Sequence, residues 1–260
     1  MPQTETTTPP EAAPDRKIIA LSGTDARKFL QGMITNDVSG DADALVYAAL
    51  LSPQGKYLAD FFVVPAGDDI WLDVDADQAD GLLKRLTMFK LRADVTLELT
   101  DIPVAMGLGP VPEGAYADPR HAALGWRMYG VDGGPQTTDW AALRVAHAVP
   151  QAGVELIPND SFILEMGFER LHGVDFKKGC YVGQEVTARM KHKTELRKGL
   201  VRVSVQGSAP AGTEIINNGK PAGTLFTQAG DAALAFLRFD RAEGELTAGA
   251  ATLSRLPDPD

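Results

Sequence analysis

From Gly199 onward the chain is a series of short β-like runs, Leu200 to Val205, Glu214 to Ile216, Ala222 to Phe226, Ala232 to Leu237 and Ala250 to Leu256, punctuated by Asn217-Asn218-Gly219 and Gly230-Asp231. Runs of this length, separated by turn residues, pair with one another rather than with crossover helices. Residues 196–260 are therefore expected to form a C-terminal β-barrel.

Upstream the texture differs. Lys17 to Leu21 reads as a strand, and Ser22-Gly23-Thr24-Asp25 as a helix start. Ala26, Phe29, Leu30 and Met33 then recur at helical spacing, which predicts a helix from Asp25 to about Ile34. Tyr47 to Leu51 and Tyr57 to Val64 flank Ser52-Pro53-Gln54-Gly55, the Pro and Gly of a tight hairpin turn. A strand at Ile70 to Val74, an amphipathic helix at Ala76 to Met88 with Leu82, Leu83 and Leu86 inward, and a strand at Val95 to Leu99 complete an α+β pattern. Gly- and Pro-rich loops at 109–120 and 130–137 enclose a strand at Trp126 to Tyr129, and helices are expected at Trp140 to Ala148 and Gln184 to Met190. The expected division is a disordered tail over 1–16, α+β domains over 17–195 and the barrel over 196–260.

The tail assignment rests on MPQTETTTPPEAAPDR, which is rich in Thr, Pro, Ala and Glu and has no apolar core. Its acids, Glu5, Glu11 and Asp15, and its lack of an apolar run do not fit a secretory or organellar leader. Over 260 residues, 44% hydrophobic and 23% charged, the composition is that of an ordinary globular protein with a substantial core. No stretch is apolar enough for a membrane span, and a net charge of −10 argues against direct nucleic-acid binding or an anionic membrane surface. The charge is uneven, however. Between Lys177 and Arg202 there are eight bases against Glu185 and Glu195, an arrangement that suits an anion site.

The only cysteine lies inside that basic run, in Lys177-Lys178-Gly179-Cys180-Tyr181-Val182-Gly183-Gln184-Glu185. A single thiol forms no internal disulfide, which fits a reducing cytoplasm. Neighbouring lysines favour the reactive thiolate, so Cys180 is the candidate functional thiol and Lys178 the residue that tunes it. Gly179 and Gly183 leave room for a ligand to approach the backbone. Common alternatives are missing: there is no Walker-A loop, no His-Glu-x-x-His helix and no Cys-x-x-Cys pair, and Pro110 and Pro112 follow Gly107-Leu108-Gly109 where a dinucleotide fingerprint needs a helix. A cluster takes about four thiolate or imidazole ligands, so Cys180 alone can supply one ligand to an iron–sulfur cluster shared with a partner or with a second copy of the chain. His121, His147, His172 and His192 show no metal spacing, and no metal site is expected.

The stretch Lys178 to Glu185 resembles the signature of the YgfZ folate-binding family, relatives of the mitochondrial iron–sulfur assembly factor. The wider chain, through Phe29-Leu30-Gln31-Gly32-Met33-Ile34-Thr35-Asn36-Asp37-Val38 and Leu50-Leu51-Ser52-Pro53-Gln54-Gly55-Lys56 leading into Asp60, is similar to the aminomethyltransferase (T protein) of the glycine cleavage system. The resemblance implies an aminomethyltransferase-like folate-binding fold, α+β, with ferredoxin-like sheet domains around a central channel and a C-terminal β-barrel. It also implies tetrahydrofolate or a derivative as cofactor, and iron–sulfur client proteins or assembly factors as partners, including enzymes of tRNA thiomethylation. Carried over residue by residue, it assigns Lys178, Cys180, Tyr181, Gly183, Gln184 and Glu185 to the site, Glu165 to the pterin ring, Asp60 to the folate, and Arg189, Lys191, Arg197 or Lys198 to the folate's glutamate tail.

Three functions stay open at this level. The first is a folate-dependent accessory factor for iron–sulfur proteins, with Cys180 as its thiol. The second is a one-carbon transferase using Asp60 as acid or base, although Ala59 stands where T proteins carry a second acid. The third is a module that docks RNA or protein through the basic run.

Overall fold

The computed structural model describes residues 7–40, 43–193 and 195–259. The chain divides into two compact units, one made of residues up to Thr138 together with Glu169–Gln184, the other of Asp139–Phe168 and Glu185 onward. The units are interleaved along the chain, so the linear boundary expected at residue 195 does not hold. Asp139–Phe168 groups with the barrel rather than with the α+β sheets.

The first unit contains β1 (Glu11–Ala12), β2 (Arg16–Ser22), α1 (Ala26–Gln31), β3 (Val46–Leu51), β4 (Tyr57–Ala66), β5 (Asp69–Asp75), α2 (Ala76–Phe89), β6 (Thr96–Thr100), β7 (Val104–Gly107), β8 (Tyr116–Ala117) and β9 (Trp126–Tyr129). Five of these strands form an antiparallel sheet in the order β3-β4-β5-β2-β6. Apart from β3 at its edge, this is the β6-β2-β5-β4 order of a ferredoxin-like unit. Alternation sends Ile19, Leu21, Leu50, Phe61, Leu72 and Val74 to one face, where they pack with Leu30 of α1 and Leu82 and Leu86 of α2. Asp75 caps α2, its side chain accepting from the Asp77 amide. As expected, Leu82 and Leu86 are buried; Leu83 is only partly so.

The opposite face is covered as well. Ile18 and Trp71 pack there with Val104, Met106 and Tyr129 of a second sheet, ordered β1-β7-β9-β8. Two-sided burial explains why β3 and β4 read as nearly continuous apolar runs. It also forces the polar residues of that face into partnerships. Asp73 is fully buried and accepts from Arg16 Nε at 2.6 Å, Arg127 Nη1 at 3.0 Å and the Tyr129 hydroxyl at 3.0 Å. Asp118 accepts from Arg120 Nη2 at 2.7 Å, and Arg120 and Arg127 lie over the Phe62 ring at 4.8 and 4.1 Å.

The N-terminal segment departs from expectation. Residues 7–15 are not a disordered tail: Glu11 and Ala12 pair with Met106 and Ala105 at the edge of the second sheet, and Thr8 exchanges hydrogen bonds with Leu108. Composition misleads here because the segment is held by main-chain pairing and by one buried carboxylate. Glu11 accepts from Thr137 Oγ1 at 2.7 Å and Thr138 Oγ1 at 2.9 Å. Residues 1–6 lie outside the described residues.

In the second unit, α3 (Trp140–Ala146) precedes α4 (Gln184–Lys193), which begins at the last residue of the first unit. β10 (Lys198–Gln206), β11 (Glu214–Asn217), β12 (Lys220–Ala229), β13 (Ala232–Arg238), β14 (Leu246–Ala248) and β15 (Ala251–Arg255) follow. They close into the expected barrel, β10-β13-β12-β11-β14-β15, with β15 returning to β10. Val201, Val203 and Val205 alternate inward with Ile215, Leu225, Leu237 and Leu253. α3 packs Val145 against the outside of this barrel, together with Leu200, Phe226 and Leu234.

Candidate functional site

Three segments far apart in sequence meet around the cysteine loop. α1 ends at Gln31, and the chain then runs through Ile34 to Asn36 with its carbonyls turned inward. The Lys178 ammonium donates to all three of these carbonyls, Gln31 O at 2.9 Å, Ile34 O at 2.6 Å and Asn36 O at 2.7 Å. An ammonium has three N–H donors, so this set is filled. The same stretch grips the loop from the other side: Thr35 Oγ1 donates to Gly173 O, Asn36 Nδ2 donates to His172 O, and the Asp175 amide donates to Thr35 O. The Asp175 side chain then accepts from the Lys177 amide at 2.6 Å, turning the chain toward Cys180.

Gly183 is the second fastening. Its φ of +84° is in the left-handed region, and a Cβ there would lie 2.6 Å from Ser52 O in the β3–β4 turn. The room at Gly183, expected to admit a ligand, is filled by the hairpin turn of this same chain. Gly179 has open space around it. Between the two fastenings Cys180 is exposed.

Lys178 is fixed by main-chain carbonyls. It is a buried residue with all three N–H on backbone carbonyls, so it gives the thiol no direct hydrogen bond. Burial lowers its pKa from 10.5 to about 8, opposed by the charges of Asp37 and Asp175. The Tyr181 ring is buried and lies 5.2 Å from the Lys178 ammonium, covering the anchor. Gln184 opens α4, its amide donating to Tyr181 O at 3.2 Å, and Glu185 in the first turn suits the positive end of the helix. Glu185 and Arg189 are exposed. His172 is exposed too, with Nδ1 3.0 Å from Pro119 O. Sequence reasoning missed Gln31, Ile34, Thr35 and Asn36 as the seat of the loop; the only signal was the resemblance over Phe29 to Val38, since carbonyl acceptors leave no mark in side-chain identity.

Asp60 is buried, accepting from the Tyr47 hydroxyl at 2.9 Å and the Tyr57 hydroxyl at 2.6 Å. Burial, and then the Asp60 charge, pushes both tyrosines well above their ordinary range and keeps them as donors. Each oxygen of the expected acid therefore already accepts one hydrogen bond from its own sheet.

Within the second unit, Glu165 lines a cavity of about 310 Å³ with Met190, Glu195, Leu196, Arg197, Lys198 and Arg238. The Glu165 main chain is fixed, its carbonyl accepting from the Leu200 amide at 2.8 Å, while its mostly buried carboxylate stands 3.5 Å from the half-exposed Lys198 ammonium. An ion pair that long, with a half-exposed cation, is worth under about 1 kcal/mol. The basic run thus does not act as one anion surface. Lys178 points into backbone, and Arg202 donates to Ala146 O and Pro257 O. Arg197 and Lys198 line the cavity, joined by Arg238, which the sequence did not single out. Among the described residues no three His, Cys, Asp or Glu side chains form a metal-ligand group, and no helix is long and apolar enough to cross a membrane.

Comparison with solved structures gives the glycine cleavage system aminomethyltransferase T from Bartonella henselae, with a TM-score of 0.78 at 14% sequence identity, covering 98% of this chain and 87% of that one. The chain has the aminomethyltransferase T fold. Within this fold, residues 197–258 match the family described as the CAF17 C-terminal β-barrel domain, and they span the closed barrel. Among curated proteins, the mitochondrial iron–sulfur cluster assembly factor IBA57 homolog of Mycosarcoma maydis is 34% identical over 74% of this chain and 56% of its own length. Human mitochondrial iron–sulfur cluster assembly factor IBA57 is 29% identical over 89% of this chain and 78% of its own length. The chain thus spans little more than half of the fungal relative.

Proposed function

We propose that this protein is an iron–sulfur cluster assembly factor that binds tetrahydrofolate and presents Cys180 as the thiol that meets the cluster. The observation that carries the reading is the fastening of one exposed thiol, by Lys178 on one side and Gly183 on the other, in a chain whose relatives are named as cluster assembly factors. With one cysteine per chain, this protein supplies one of the roughly four ligands a cluster takes, and the partner protein supplies the others. Such a thiol hands the cluster on, because a single ligand holds it weakly.

The donor set of the second unit fits a folate. The pterin ring offers amine and amide N–H groups to a carboxylate, which Glu165 provides beside Lys198, and the tail carboxylates suit Arg197 and Arg238. A cavity of about 310 Å³ is of ligand-pocket size. When bound, the folate supplies one-carbon chemistry; this chain's residues orient the ring and neutralise the tail. The YgfZ-type resemblance supports the same assignment, with client enzymes that include those of tRNA thiomethylation. The named relatives are mitochondrial, and a cytoplasmic or matrix location both suit an unpaired thiol.

Titration calorimetry with tetrahydrofolate tests the cofactor. Glu165→Ala weakens binding by roughly tenfold to a hundredfold, the loss of a charge-assisted pair of hydrogen bonds. Absence of any heat with the wild-type chain removes folate from the proposal. For the thiol, Cys180→Ala, a change at an exposed position, leaves melting and folate affinity intact yet abolishes rescue of iron–sulfur enzyme activity in cells lacking the endogenous protein. Full rescue by the alanine variant sinks the thiol role.

A further inference from the structure

The end of α2 places three large apolar side chains in water within four residues: Met88 is 66% exposed, Phe89 48% and Leu91 85%. Scattered exposed leucines need no explanation, but a contiguous group does. Lys84, Arg85 and Arg92 beside them are exposed, and the span Lys84 to Arg92 carries four bases and no acid in a chain whose net charge is −10. Leu91 also adopts φ +48°, the left-handed region where glycine or asparagine is the undemanding residue. Its exposed side chain gains nothing within the fold to offset that strain. The turn is nevertheless firmly built: the Lys90 amide donates to Leu86 O, the Ala93 amide donates to Lys90 O, and the Lys90 ammonium donates to Val95 O at 2.7 Å. A strained leucine held outward on a rigid turn is the arrangement of a contact residue, in which the ordering cost of binding is already met.

We infer that this turn is a docking surface for an acidic protein partner, which takes Phe89 and Leu91 into an apolar pocket rimmed by carboxylates that meet Arg85 and Arg92. Nucleic acid matches the bases but offers Met88 and Leu91 nothing apolar to fill. A lipid surface needs more than one turn's worth of inserted side chains for stable attachment. A protein with a local acidic rim contacts the bases within a few ångströms, while the charges beyond are screened at about 8 Å in physiological salt. The patch is small, so the complex is transient. The inference goes beyond the proposed function and is independent of the folate cavity and of Cys180.

The test places the photo-cross-linking amino acid benzoylphenylalanine at position 91 of the full chain in cells. The expected product is a cross-link to one acidic protein; that protein is then purified and titrated against the wild-type chain by fluorescence anisotropy. Leu91→Asp and Phe89→Glu weaken its binding by about tenfold or more, and added salt weakens the wild-type complex. Leu91→Gly separates stability from docking. It relieves the backbone strain, melts no lower than the wild type, and still binds about tenfold more weakly. No cross-link, cross-links only to RNA or lipid, or equal affinity for Leu91→Gly and wild type each overturn the proposal. Unchanged folate calorimetry of these variants keeps the outcome separate from the fate of the cofactor reading.

Discussion

Asp73→Asn lowers the stability of the chain by about 3–5 kcal/mol, the range seen when one partner of a buried ion pair is removed. Asparagine keeps the volume, so the loss comes from charge rather than from a cavity. Asp73 is fully buried, and it faces two guanidinium groups that are themselves only 13% and 6% exposed. Without its carboxylate, Arg16 keeps a hydrogen bond to the main-chain carbonyl of residue 73, and Arg127 keeps Asp118 at 3.5 Å. Neither offsets the desolvation of two cations. Burial, and then the Asp73 charge, holds the Tyr129 hydroxyl far above its ordinary range, so it remains a donor and competes with Arg16 and Arg127 for the single oxygen that asparagine keeps. Urea unfolding checks this: the midpoint falls with an unchanged slope. A loss below about 1 kcal/mol, typical of exposed pairs such as Lys17 with Asp101, contradicts the account.

Lys178→Met is expected to cost about 2–4 kcal/mol, since three carbonyls lose a charged donor and the buried one finds little water in its place. The damage is local before it is global. Amides of residues 177–183 exchange faster, and rescue of iron–sulfur enzymes falls even though Cys180 remains. The pH dependence separates this lysine from its neighbours. In the unfolded chain it holds its proton up to 10.5, in the folded one only to about 8, so the unfolded state binds more protons between those values. Its contribution to stability is therefore flat below about pH 8 and rises from there to 10.5. The stability difference between wild type and Lys178→Met widens across that window. A difference that stays constant contradicts the titration of Lys178.

Much of the fold was legible because it follows local pattern. The hairpin around Ser52-Pro53-Gln54-Gly55, the helix over Ala76–Phe89 and the succession of short barrel strands are all specified by alternation, turn residues and helical spacing. β7 and β14, only four and three residues long, carry too little pattern to stand out. The ordered 7–15 segment and the interleaved units are set by pairing between distant residues, to which local composition is blind. At the site, Cys180 could be singled out by residue type, and Glu165 only through the resemblance to T proteins. The inward turn of Lys178 could not, because burying an ammonium depends on main-chain acceptors that any sequence possesses. The same holds for the arginines around Phe62, whose place follows only from the second sheet covering that face.

The Lys178 anchor joins residues 144 positions apart. Contacts of such long range form late on the route to the native state, since the intervening chain must first be gathered in. A nascent or half-assembled copy thus has a cysteine without a seat for it. The cysteine loop reaches its native geometry only with the finished architecture, and the protein's maturation is in this sense its own quality check.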